Sequence, residues 1–262
     1  MRADKAAPPG RPAILLSEAA AGEPVQPDLL QSLPDAERIR LLASGRTRRL
    51  ARGEALFRQG DSHDGIALIE SGRVRSFYTA PSGREITLAY WGGGNFVGGP
   101  EMFGAGVHMW TALAVQPTAV VMLPGRALRD IALNVPQAAV AIIDALIYKA
   151  KCYSALAQML GTRSMMQRLC QLVLHLMDTH GVQHADGVAI ATSLTHAELA
   201  NLIGATRQWV TISLTRLQEE GALRQRKGLM IVLRPELLGR SAALTPAGAG
   251  RRLPRRTKAQ HG

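Results

Sequence analysis

From Ser193 to Val232 the chain reads as a helix, a single glycine, a second helix and a short basic hairpin, an order that few folds accept. Thr195 is placed to cap the first helix, with Glu198 three residues on to return the bond, and Leu199, Ala200, Leu202 and Ile203 supply a buried face. Gly204 breaks that helix. Thr206 caps the next one, in which Val210, Leu214 and Leu217 recur at the spacing of one buried stripe. Arg207, Gln208, Thr211 and Thr215 share the opposite, polar face, beginning at its N-terminal end. Beyond Gly221, residues 223–232 predict two short strands joined by a turn rich in Arg224, Arg226 and Lys227. The pattern is a winged helix-turn-helix.

Such a motif pushes the start of its second helix into the major groove of double-stranded DNA. Arg207 carries a fork that fits guanine O6 and N7 or a phosphate, Gln208 pairs both ways with adenine, and Thr211 offers a methyl to thymine. Thr195, Thr206 and Thr215 complete the candidate set on the helices. In the wing, Arg224, Arg226 and Lys227 suit phosphates, which add affinity without sequence discrimination. The plain alternative is a small helical domain whose polar face is only solvated.

The 262 residues leave room for about two domains, and a formal charge of +11 suits a polyanionic partner. Much of that charge is local. Arg240, Arg251, Arg252, Arg255, Arg256 and Lys258 crowd residues 239–262, which read as a basic, disordered tail. Residues 1–34, rich in Ala, Pro and Gly, read as a disordered extension. No apolar run is long enough to span a bilayer and no charged-then-apolar leader is visible, so a cytoplasmic protein without membrane contact is expected. Cys152 and Cys170 lack the clustered spacing of a metal site and read as small buried residues, with redox sensing at Cys152 the lesser alternative.

Between Gly53 and Leu123 the pattern changes to short segments punctuated by glycine. Residues 66–69, 74–78, 86–90 and 119–123 predict antiparallel strands, evenly spaced as in a barrel or jelly roll. A long helix follows over 136–160 with two apolar stripes. One runs through Val140, Ile143, Ile147, Ala150, Ser154 and Ala157. The other takes Ala139, Ile142, Leu146, Tyr153, Leu156 and Leu160. One stripe is free to pack on the β domain and the other on a second copy of the helix; burial of both within one monomer is the alternative. Gly161 is expected to end the helix, and residues 164–179 form another.

This order resembles the Crp/Fnr superfamily of bacterial transcription regulators over about residues 37–238. The resemblance is carried by GEALFRQGDSHDGIALIESGRV from Gly53, by SGRE around Gly83 and Arg84, and by LTHAELANLIGATRQWVTISLTRLQEEGAL from Leu194. It implies an α+β chain: an antiparallel, jelly-roll-like β-roll sensor domain over 35–135, a dimerisation helix over 136–160 and a DNA-binding domain over 162–238. It also implies a homodimer on a palindromic operator, with RNA polymerase as a candidate partner.

The cyclic-nucleotide branch of that family carries a Gly-Glu pair and an Arg-Ser or Arg-Thr pair, which hold the ribose and the cyclic phosphate. Here the matching positions read Gly98-Gly99 and His108-Met109, and Glu101 is the only fully ionised side chain between Trp91 and Gln116. Conventional binding of cyclic AMP is therefore not expected, and the effector is left open. The candidate effector-pocket residues are Arg84, Trp91, Phe96, Gly98, Gly99, Glu101, His108, Met109 and Trp110, with core packing the competing role for the aromatics. No cofactor is predicted. His63 and His108 keep haem as a minor alternative, and the N-terminal cysteine cluster of the iron–sulfur branch is missing. A second functional reading is a ligand receptor whose DNA domain has become a protein-interaction surface, motivated by Trp209 and Ile212 near the polar face. An enzyme is not expected: no Lys-Ser/Thr pair follows Gly92-Gly93-Gly94, and no nucleophile, base and orienter set is visible.

Overall fold

The computed structural model describes residues 28–191, 194–226 and 229–243. Helix α1 (Asp35–Ala43) leads into strands β1 (Arg46–Leu50), β2 (Ala55–Phe57), β3 (Ser62–Asp64), β4 (Ile66–Ser71) and β5 (Arg73–Thr79). Then come β6 (Glu85–Gly92), β7 (Phe96–Gly98), β8 (Ala105–Val107), β9 (Thr111–Ala114) and β10 (Thr118–Leu123). Two four-stranded antiparallel sheets result, ordered β1-β10-β4-β7 and β2-β9-β5-β6, with a β3-β8 ribbon beside them. This is the expected β-roll.

Strand alternation explains how one chain fills two cores here. Along β4, Ile66 and Leu68 face a cluster with Leu29, Leu41, Leu128 and Ile142, while Ala67 and Ile69 point into the roll beside Val74, Trp91 and Val120. Both faces are buried. The helices covering the outer face are α1, α2 (Gly125–Asn134) and the start of α3 (Pro136–Thr162).

Helix α3 begins with Pro136 in its first turn, where the missing N–H costs nothing, and runs 27 residues. It continues through Gly161 rather than ending there. Its buried residues are Ala138, Ala141, Ile142, Ala145, Lys149, Cys152, Leu156 and Met159. That stripe differs from the expected second one: Leu146 is 43% exposed, and a lysine lies in the buried row. From N- to C-terminus it joins in turn the outer β-roll core, the roll interior and the core of the C-terminal domain. No single helix among the described residues is long and apolar enough to cross a membrane.

The C-terminal domain starts at α4 (Met165–His180), fixed by a reciprocal capping box between Ser164 and Gln167. After β11 (Gly181–His184) and β12 (Gly187–Ile190) come α5 (His196–Ile203), α6 (Arg207–Glu219), β13 (Leu223–Arg226), β14 (Leu229–Val232) and α7 (Pro235–Ala242). The four strands form one sheet in the order β11-β12-β14-β13.

Two expected boundaries shift. Residues 28–34 are not loose: Leu29 and Leu33 are buried in the outer core, and Asp28 caps the turn between them by accepting from the Leu30 and Gln31 amides. The C-terminal domain likewise extends past residue 238, because α7 buries Leu238 and Ala242 against α4. The remainder of both predicted extensions, and Lys227, lie outside the described residues.

Candidate nucleic-acid interface and effector cavity

The helix-turn-helix is built by local chemistry. Thr195 Oγ1 accepts from the Glu198 amide at 3.1 Å while Glu198 Oε2 accepts from the Thr195 amide at 2.7 Å, so α5 starts at a complete capping box. Gly204 ends it in the left-handed region (φ 67°, ψ 38°), which favours a residue without Cβ. Thr206 Oγ1 then accepts from the Trp209 amide and starts α6. Arg168 of α4 locks the pair from beneath by donating to the Ile203 carbonyl at 2.6 Å.

Arg207, Gln208, Thr211 and Thr215 are exposed on one side of α6, and Val210, Leu214 and Leu217 are buried on the other. Thr211 and Thr215 hydroxyls donate back to the Arg207 and Thr211 carbonyls. Arg207 and Arg226 make no ion pair among the described residues. Arg224 differs: its guanidinium holds Asp186 at 2.8 Å, so this candidate phosphate contact is partly neutralised. Thr195 lies at the start of α5, and its side chain is engaged with Glu198. Trp209 is partly buried against the domain core, whereas Ile212 stands 62% exposed. Sequence reasoning missed His196. Its Nδ1 lies 2.8 Å from Thr211 Oγ1 and its Nε2 3.4 Å from Gln225 Nε2, tying α5, α6 and the wing together.

In the β-roll, a cavity of about 230 Å³ opens between the sheets and α3. Of the expected pocket residues, Trp91, Phe96, Gly98, Gly99 and Trp110 line it. Arg84, Glu101, His108 and Met109 do not. Arg84 is exposed in the turn before β6, and Met109 is 59% exposed. Glu101 is exposed with its carboxylate 3.3 Å from His63 Nε2, and His108 is stacked on Phe57 with ring centroids 3.5 Å apart. A Cβ at Gly99 would collide with the His63 ring, so no acidic side chain fits at that position without moving the histidine. Neither His63 nor His108 lines the cavity, and their rings lie 4.7 Å apart, packed on each other. That arrangement does not fit an axial haem ligand in the cavity.

From α3 the cavity receives Leu146, Tyr153 and Lys149, and β5 contributes Ser76. Lys149 is the group the sequence did not flag. Its Nζ stands 3.3 Å from the Trp91 ring centroid and 4.7 Å from that of Phe96. Burial drives its pKa down to about 7. Burial also pushes the thiols of Cys152 and Cys170 up, Cys170 to about 11, so neither has the thiolate character of a reactive sensor.

The two halves meet at β6. Its inward side carries Thr87, Ala89 and Trp91, while Leu88 and Tyr90 pack against the DNA-domain core. Glu85, at its start, accepts from Asn201 Nδ2 of α5 at 3.0 Å.

Residues 47–134 match the cyclic nucleotide-binding domain and residues 167–241 the Crp-like helix-turn-helix domain. The chain belongs to the Crp/Fnr family of transcription regulators. The regulator is 29% identical over 203 residues to the cyclic AMP receptor protein of Thermus thermophilus, covering 77% of this chain and 91% of that protein. It is 26% identical over 192 residues to the CRP-like cAMP-activated global transcriptional regulator of Mycobacterium tuberculosis, covering 73% and 85%. The c-di-GMP responsive global regulator CLP of Xanthomonas campestris shares its fold, with a TM-score of 0.67 at 21% identity, over 76% of this chain and 99% of CLP. As a DNA-binding transcription regulator of this family, it has relatives that are regulators rather than enzymes.

Proposed function

We propose that the regulator works in the cytoplasm as a homodimer joined along α3, reading a palindromic site with two copies of α6. A small molecule other than conventionally held cyclic AMP would switch it from the β-roll cavity. The observation that carries this reading is α3. One side of it walls the cavity, and the other leaves Val140, Ile143 and Ile147 in water at 56%, 53% and 47% exposure. Exposed at heptad-like spacing, these residues suit a second copy of the helix. Such pairing sets two recognition helices about 34 Å apart.

The relatives' names include cyclic AMP and c-di-GMP, so an effector does not transfer by family alone. The sequence argues against cyclic AMP in the usual pose, because Gly99 and Met109 hold the positions where the cyclic-nucleotide branch carries a carboxylate and a hydroxyl. Arg207, Gln208, Thr211 and Thr215 are assigned to base and groove contacts, and Thr195, Thr206, Arg226, Lys227 and, less fully, Arg224 to the backbone. Residues 35–135 form the sensor, 136–160 the dimer helix and 162–238, with α7, the DNA-binding domain; RNA polymerase is the candidate downstream partner.

Sedimentation and gel shifts with the protein's own upstream region test this reading. A dimer with sequence-selective, salt-sensitive DNA binding is expected, and Ile143→Asp should yield a monomer with weakened binding. A wild-type monomer, or salt-sensitive binding that is equal on random DNA, would overturn it.

A further inference from the structure

The cavity's polar groups share one chemical property. Lys149 is 9% exposed and makes no ion pair among the described residues. Ser76 and Trp91 are fully buried, and among the described residues neither Ser76 Oγ nor Trp91 Nε1 has a hydrogen-bond partner. All three residues line the cavity, and no carboxylate among the described residues does. Three groups able to donate, gathered with no acceptor of matching charge, leave a deficit that a ligand acceptor would remove.

Size and lining narrow the ligand further. At about 230 Å³ the cavity is smaller than the usual ligand pocket, roughly 300–1,000 Å³. It exceeds an apolar cavity of about 150 Å³ that admits benzene. The walls include Trp91, Phe96, Trp110, Met102 and Tyr153. A ring stacks well there, and a nucleotide does not fit without expansion.

Resting on the reading of the cavity as the effector site, we infer that it takes a small aromatic monoanion, one ring bearing one carboxylate, with Lys149 meeting the charge and Ser76 and Trp91 donating beside it. Lys149 reaches the cavity from the same helix that carries the dimer stripe, so the anchored charge sits on the element joining the two subunits. On the other wall, Trp91 belongs to β6, whose outer face touches the DNA domain. An occupant held between them bridges both.

The titratable groups around Lys149 are Cys152 and Tyr153 of its own helix, both pushed toward their neutral forms by burial. The β-roll lines the cavity with Ser76, aromatic rings, Val97, Met102 and the Gly98-Gly99-Pro100 backbone, none of which titrates. In the empty cavity the amine loses its proton near pH 7, whereas a bound carboxylate holds it protonated. Anion affinity therefore falls as pH rises above 7, by at most about tenfold per pH unit, and binding near pH 8 takes up a proton.

Calorimetric titration of the full-length dimer tests the inference, using benzoate, phenylacetate and salicylate against the neutral benzyl alcohol and the cation benzylammonium. At least one monoanion should bind more than tenfold tighter than benzyl alcohol, weaken between pH 6.5 and 8.5, and release a heat that varies with the buffer's ionisation enthalpy. Lys149→Met should cost that ligand at least tenfold and leave benzyl alcohol unchanged, with a melting curve to show that the variant is folded; Ser76→Ala should cost a few-fold. No preference for the anions, or full retention in folded Lys149→Met, would overturn it. DNA binding by the same samples separates the levels. Selective DNA binding without anion binding sinks this inference alone, while loss of both also removes the regulator reading beneath it.

Discussion

Glu85 of β6 accepts a hydrogen bond from Asn201 Nδ2 of α5 at 3.0 Å, and the Arg75 guanidinium holds the same carboxylate at 2.7 Å. A sensor strand is thus pinned to the first helix of the helix-turn-helix. Asn201→Ala removes the pin without touching the polar face of α6. A partly exposed bond to a charged group is worth about 1 kcal/mol. The variant should lose roughly that much stability in urea unfolding. Trp91 and Trp110 report on the sensor and Trp209 on the reader, so tryptophan fluorescence is expected to resolve two transitions in the variant and one in the wild type. A single transition with an unchanged midpoint would mean that Leu88 and Tyr90 packing alone carries the join.

The lysine in the roll makes a separate prediction about stability. Its folded pKa, about 7, lies below the ordinary lysine value of 10.5, so between those values the unfolded chain binds more protons and the fold gains stability as pH rises. Below pH 7 the penalty is complete, at about 1.4 kcal/mol for each tenfold loss of proton affinity, partly offset by the Trp91 ring. Without ligand, Lys149→Met should be more stable than wild type at pH 7, and its stability should lose the rise from pH 7 to 10. Urea midpoints across that range measure it; a less stable, equally pH-sensitive variant would contradict it.

What was legible in the sequence was what is decided locally. The caps at Thr195 and Thr206, the left-handed Gly204 and the buried stripe of α6 depend on residues within one turn of each other, and all are present. The cavity depends on which strand ends meet. Trp91, Phe96, Gly98, Gly99 and Trp110 converge, but His108, close to Trp110 in sequence, turns onto Phe57. Lys149 escaped notice because a stripe drawn through apolar letters steps around a lysine. The buried row shares Ile142 and Leu156 with the expected one, lies one position earlier at Ala138, Ala145, Cys152 and Met159, and includes the lysine. Helices α1 and α2 escaped for another reason: neither has a side-chain cap, and their apolar faces are defined by the sheet beneath.

At the DNA face, the three described basic candidates should separate. Arg207→Ala should lower affinity for the specific site by about 1–3 kcal/mol and relax preference at one base pair. Arg226→Ala should weaken all sequences alike and reduce the salt slope by about 1. Arg224→Ala should do less than Arg226→Ala, because Asp186 already neutralises it, and Asp186→Asn should strengthen nonspecific binding. Fluorescence anisotropy over a salt series checks all four. Equal slopes for Arg224→Ala and Arg226→Ala would show that the Asp186 pair opens on DNA.

His108 gives the β-roll a buried group that resists protonation. It is buried, stacked on Phe57 at 3.5 Å and close to His63, and desolvation with repulsion from that second imidazole lowers its pKa to about 4. Between pH 6.5 and 4 the unfolded chain takes up a proton that the folded chain refuses, so stability falls as pH drops through that window. The loss should be complete below about pH 4. His108→Phe keeps a ring on Phe57 and removes the titration, so its thermal midpoint should decline less between pH 6.5 and 4 than that of the wild type. NMR titration of the His108 ring gives the direct measurement. A pKa near 6.5 would remove the cause, and parallel melting curves for variant and wild type would place the acid sensitivity elsewhere.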